Sequence, residues 1–139
     1  MNLGYKGGRR EQMEKEIIRI GLAGFGTVGT GLARIILENQ DWIKRRVGKK
    51  LLISRVLVRD LNKVRTFIPG PEARFTDNPD DLLSDPDIDI IVELIGGIEV
   101  PYTIITKALK QGKSVVTANK ALLALKGNEL FELAAQNKA

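Results

Sequence analysis

Three groups of residues in this chain have types and spacings that can do chemistry. The first is "GFGTVG", which places glycines at 24, 26 and 29 in the G-x-G-x-x-G spacing. In such a turn Gly24 permits a tight bend off a strand. Gly26 leaves no side chain in the path of a pyrophosphate, and Gly29 lets the next helix lie close to a sheet. The free N–H groups and positive dipole end of that helix then serve the phosphates. Phe25, Thr27 and Val28 complete the turn, and Thr27 suits a helix start. The second group is Val58-Arg59-Asp60, which follows an apolar run. A ribose 2′-hydroxyl calls for an acidic residue about 20 residues past the glycines; here the strand end arrives later, and Arg59 precedes the acid. Arg59 stands where a 2′-phosphate needs a cation and so favours NADP, while Asp60 admits NAD if the backbone turns by one residue. The third group is "SVVTANK". Ser114 to Thr117 reads as a strand that stops on Ala118-Asn119-Lys120. An amide and an ammonium at a strand end need a polar setting, since burying them unpaired is costly.

Elements that position these groups follow from hydrophobic pattern. Ile17 opens a short apolar run that ends in the glycines, the mark of a buried strand. A helix is expected from Thr27 to about Gln40, with Val28, Leu32, Ile35 and Ile36 on one face. Lys44, Arg45, Arg46, Lys49 and Lys50 crowd the next connection, which reads as solvated. Further strands are expected over Leu51–Val58, Arg74–Thr76 and Ile88–Ile95. Pro79–Ser84 reads as a brief helix. Pro101 suits a helix first turn, with Ile104, Ile105, Ala108 and Leu109 on its apolar face and Gly112 closing it. After the fifth strand, Lys120–Leu125 and Gly127–Gln136 read as two helices. Short apolar strands spaced by helices imply a parallel sheet covered on both faces. Right-handed crossovers make it a doubly wound α/β fold of three αβα layers, a Rossmann-type NAD(P)-binding domain, with spatial order 3-2-1-4-5. Gly24 to Gly29, Arg59, Gly96-Gly97 and Lys120 then share the carboxyl edge of one sheet, where ligands of such folds bind.

Composition narrows the chemistry. The 139 residues carry no cysteine and no histidine. That excludes disulfide scaffolds, thiolate or imidazole metal sites, cysteine nucleophiles and histidine acid–base work. No metal site is expected. A net charge of +5 admits anionic partners. Trp42 is the lone aromatic near the basic cluster, too thin a platform for nucleic acid. No apolar run approaches the ~20 residues of a membrane helix. Neither nucleic acid nor membrane is therefore expected as a partner, and a cytoplasmic location is. Residues 1–16, with three glycines and seven charged residues, read as a flexible or partly helical arm; residues 17–139 read as the dinucleotide-binding domain.

Four segments together resemble homoserine dehydrogenase: "GFGTVG", "VLVRDLNKVR", "VELIGG" and "SVVTANKALLA". The last is the most specific, and the resemblance covers roughly residues 17 to 139. It implies reversible reduction of aspartate 4-semialdehyde to homoserine by NAD(P)H, a step in threonine and methionine biosynthesis. It also implies that Lys120 contacts cofactor or substrate, and that Phe25, Thr27 and Val28 touch the dinucleotide largely through backbone. Gly96 and Gly97 would admit the nicotinamide half. Members of the family continue into a substrate and dimerisation domain holding the main catalytic lysine. This chain is expected to lack that domain, to be inactive alone, and to come from a homodimer. Glu93, a carboxylate inside an apolar strand, is ambiguous. Two other readings stay open: a nucleotide-sensing regulatory module, and the dinucleotide domain of another amino-acid or semialdehyde dehydrogenase.

Overall fold

A computed structural model describes residues 15–139. Of the arm expected at 1–16, only Lys15 and Glu16 fall within the described residues. Both are tied to the body: Lys15 bonds the Asp89 carboxylate, and the Glu16 carbonyl accepts from Lys50 N at 2.8 Å.

Five strands form one sheet, β1 (Ile17–Ala23), β2 (Lys50–Leu57), β3 (Arg74–Thr76), β4 (Ile90–Glu93) and β5 (Ser114–Thr117). The order is β3-β2-β1-β4-β5 and every pairing is parallel. Helices α1 (Thr27–Glu38), α2 (Gln40–Val47), α3 (Asp80–Leu83), α4 (Glu99–Lys110) and α5 (Lys120–Gln136) make the crossovers and the C-terminal layer. Both faces of the sheet are dry, as the short apolar runs require. Leu22, Val56 and Val92 point to one side with Ala33 and Ile36 of α1. Their neighbours Ala23, Leu57 and Ile91 point to the other, with Ile104 and Ala108 of α4 and Leu82 and Leu83 of α3. A third cluster, Ile105, Leu109, Leu122 and Leu130, joins α4 to α5. None of the helices is long and apolar enough to cross a membrane, among the described residues.

Registers end level. Thr76 pairs with Leu57, Leu57 with Ala23, Ala23 with Glu93, and Glu93 with Thr117, so all five strands stop on one row. β2 is one residue longer than β1. The excess is absorbed between Ile20 and Gly21, where Ile20 opposes Ile53 but Gly21 opposes Arg55, leaving Ser54 as a bulge.

Several elements differ from the sequence expectation. The buried face of α1 is Gly29, Ala33 and Ile36, whereas Val28 and Ile35 are exposed. Small residues face the sheet because the helix lies against the glycine turn. The basic connection is largely helix: Lys44, Arg45 and Arg46 occupy the last turn of α2, where cations suit the dipole, and Gly48 at φ 77° ends it. Helix α5 is continuous. Gly127 is buried inside it, so packing against α4 overrides the modest helical penalty of glycine. β4 is shorter than Ile88–Ile95, because the chain bends into left-handed backbone at Gly96 and Gly97.

Candidate functional site

The glycine turn leaves β1 through Gly24, whose φ of +105° suits glycine. A Cβ on Gly24 would lie 2.9 Å from the Leu94 carbonyl oxygen. Its N–H donates to Leu57 O at 3.0 Å, and Leu94 N donates to Ala23 O at 2.8 Å, so the turn is laced to β2 and to the end of β4. Gly26 is the N-cap of α1; Thr30 N donates to its carbonyl at 2.9 Å. Thr27 is therefore the first helical residue and not the cap. No side chain caps α1 and no acidic residue stands in its first turn. The orphan N–H groups of Thr27, Val28 and Gly29 have no cap within the helix start. A Cβ on Gly26 would meet nothing within 4 Å, whereas one on Gly29 would stand 2.3 Å from the Gly24 carbonyl oxygen. Gly26 faces open space and Gly29 is the point of closest packing.

A cleft of about 770 Å³ opens on this edge. Gly24, Phe25 and Gly26 form one wall; Val58, Arg59 and Asp60 form the second; Leu94 through Pro101, including Gly96 and Gly97, form the third. The structure thus brings together the glycine turn, Arg59 and the Gly96-Gly97 turn. Thr27, Val28 and Gly29 lie just behind the wall in α1. Lys120 does not line the cleft: it is exposed at the first residue of α5, beyond the edge strand β5. Its neighbour Asn119 makes the link, donating from Nδ2 to Gly97 O at 2.6 Å.

Cations collect at the β2 side of the cleft. Arg59 is exposed and makes no ion pair among the described residues. Lys63 and Arg65 also line the cleft and were not singled out from sequence, although both stand in "VRDLNKVR". Arg65 is pinned. Its guanidinium donates to Asp60 O at 2.8 Å and to Lys63 O at 3.0 Å, and lies 5.1 Å from the Phe75 ring centroid. Asp60 Oδ1 accepts from Asn62 N at 2.9 Å, so its carboxylate is engaged in a local turn. Phe25 meets Phe75 edge-on at 5.3 Å, which braces the glycine turn against β3.

Glu93 resolves the ambiguity left by the sequence. It is fully buried and fully partnered. Oε1 accepts from Ile95 N at 2.8 Å and Gly96 N at 3.3 Å, and Oε2 accepts from Thr117 Oγ1 at 2.6 Å. Among the described residues no group of three or more acidic side chains could hold a metal ion.

Likeness to known proteins agrees with this geometry. The sequence model of the family described as "Homoserine dehydrogenase, NAD binding domain" matches residues 24–139. The chain belongs to that family. It is 43% identical over 120 residues to homoserine dehydrogenase of Bacillus subtilis (strain 168), covering 86% of this chain and 28% of the relative. The S. aureus homoserine dehydrogenase crystallised at pH 8.5 superposes with a TM-score of 0.82 at 40% identity, covering 88% of this chain and 31% of that one. A hyperthermophilic archaeal homoserine dehydrogenase in complex with NADPH matches at a TM-score of 0.66 and 26% identity, over 88% of this chain and 42% of the other. The chain spans less than a third of the curated homoserine dehydrogenases quoted from the closer comparison. The doubly wound α/β fold is shared with these structures.

Proposed function

We propose that this chain binds NADP(H) as the dinucleotide-binding part of a homoserine dehydrogenase, which interconverts aspartate 4-semialdehyde and homoserine. The observation that carries it is the open cradle at Gly26, facing a cleft whose opposite wall ends in the unpaired Arg59. The residues fit a dinucleotide: uncapped helix amides for the pyrophosphate, a small-residue turn at Gly96 and Gly97, and cations for a 2′-phosphate. Gly24, Phe25, Gly26, Thr27, Val28 and Gly29 would hold the pyrophosphate, largely by backbone. Arg59 would meet the 2′-phosphate. NADP is favoured over NAD because Asp60 is already engaged by Asn62, whereas Arg59 is free.

When bound, the nicotinamide supplies the hydride for the carbonyl carbon of the semialdehyde. The chain's own contribution is to orient the ring face through the Gly96-Gly97 turn and to exclude water from the cleft floor. Lys120 lies on the same edge, one residue past the Asn119 bridge. A lysine at a helix N-terminus opposes the dipole, which suits a cation retained to meet developing negative charge on the substrate oxygen. A small-molecule substrate, a homodimeric whole protein and a cytoplasmic location belong to the same proposal.

Calorimetric titration with NADPH and NADH, on this chain and on Arg59→Ala, tests the cofactor assignment. Loss of one charge-assisted contact of about 1.5–3 kcal/mol lowers NADPH affinity roughly ten- to a hundredfold and leaves NADH nearly unchanged. Equal affinities in both proteins would sink the 2′-phosphate assignment.

A further inference from the structure

We propose that Glu93, Thr117 and Asn119 form a positioning unit that locks the loops after β4 and β5 into one rigid piece. The unit runs without a gap across two strands. The Glu93 carboxylate takes Ile95 N, Gly96 N and the Thr117 hydroxyl. Thr117 Oγ1 in turn accepts from Asn119 N at 3.0 Å. Asn119 then works in both directions. Its Oδ1 caps α5 by accepting from Leu122 N at 3.0 Å, and its Nδ2 donates to Gly97 O at 2.6 Å. Gly96 and Gly97 both have positive φ, and nothing lies within 4 Å of where their Cβ atoms would be. Side-chain packing therefore does not hold this turn; hydrogen bonds from Glu93 and Asn119 do.

Chemistry explains the residue types. A carboxylate offers two oxygens and accepts three bonds here, which no neutral side chain of that size does. Thr117 must donate and accept at once, which a hydroxyl alone can do at that length. Asn119 must accept as a cap and donate across the gap; only an amide does both. The amide and ammonium at the end of β5 thus have separate tasks: Asn119 sets the spacing of the two loops, and Lys120 is carried at the spacing so set. These residues act through others and touch neither cofactor nor substrate in this assignment.

Asn119→Asp separates the two roles. Aspartate caps a helix as well as asparagine but cannot donate to Gly97 O. We therefore expect the chain to stay folded while the loops part. Amide hydrogen exchange at Ile95 and Gly96 should accelerate about tenfold, the effect of one lost hydrogen bond, while exchange at Leu22 in the sheet stays unchanged. Thr117→Val should do the same and Thr117→Ser should restore protection. The ligand arm rests on the dinucleotide assignment above. NADPH affinity should fall about tenfold in Asn119→Asp, whereas 2′,5′-ADP, which lacks the nicotinamide half, should bind as to the parent chain. Unchanged exchange at Ile95 and Gly96 would overturn the unit, as would equal loss of both ligands. Failure of the parent chain to bind either ligand would count against the dinucleotide assignment alone, and the exchange measurement would still decide the unit.

Discussion

Gly26 and Gly29 stand three residues apart in one turn, and replacing each by alanine should separate binding from folding. A Cβ on Gly29 would be 2.3 Å from the Gly24 carbonyl oxygen. Ordinary contact requires about 1 Å more, and backbone sits on both sides, so α1 must move off the sheet. Overpacking of this kind costs up to about 3 kcal/mol, of which better helix propensity returns at most about 1. A net loss near 2 kcal/mol lowers Tm by roughly 6–10 °C in a domain of this size. Gly26 is different. Its φ of −80° and ψ of −153° suit alanine, and the added methyl meets no protein atom within 4 Å. Alanine is a poorer N-cap than glycine, so about 0.5–1 kcal/mol is lost and Tm falls by only a few degrees. The methyl enters the space reserved for the pyrophosphate, and NADPH affinity should fall at least tenfold, about 1.4 kcal/mol. Differential scanning calorimetry and NADPH titration of both variants make the test. A folded Gly26→Ala chain that binds NADPH like the parent refutes the cradle, and a Gly29→Ala chain of parental Tm refutes the close approach.

Other consequences are local. Lys113 is buried, donating to Asp85 O at 2.6 Å and Ile88 O at 2.9 Å, and desolvation holds its pKa below the usual lysine value. Between that lowered value and the ordinary one the unfolded chain binds more protons, so stability rises with pH through this alkaline window, and the cost stands in full below it. Urea midpoints measured across that window should climb in the parent relative to Lys113→Met; a constant difference would refute the placement. The Tyr102 hydroxyl bonds the Glu129 carboxylate, which raises its pKa above the ordinary phenol value. In a Tyr5→Phe background, ultraviolet titration of the phenolate should move to lower pH on Glu129→Gln. Arg65→Ala should weaken NADPH binding less than Arg59→Ala does, since the Arg65 guanidinium is already held by two backbone carbonyls; the same titrations rank the two.

Strand order and the glycine turn were legible because both are written in short-range signals, an apolar run ending in glycine followed by a helical stretch. The face of α1 was misjudged for a physical reason. Hydrophobicity alone favours Val28 and Ile35, but the surface is a contact with backbone, and small residues fit there best. Helix α2 was hidden by its charge, because Lys44, Arg45 and Arg46 look like a solvated loop until their place at a helix C-terminus is known. Gly127 suggested a break that packing on α4 removes. Glu93 was the deepest gap. Its partner Thr117 lies 24 residues away, and no local pattern reports a bond between the ends of two neighbouring strands.

The bulge at Ser54 has a consequence for how this edge tolerates change in length. One surplus residue in β2 is taken up in mid-strand, so Arg59 still departs from the same row as Gly24. Deleting Ser54 would leave the loops' sequences intact, yet it would pull the β2 terminus back by one residue, about 3.3 Å, and turn its side chains to the opposite face. Insertions in the exposed stretch after Asp60 avoid that fault, because they alter neither register nor facing.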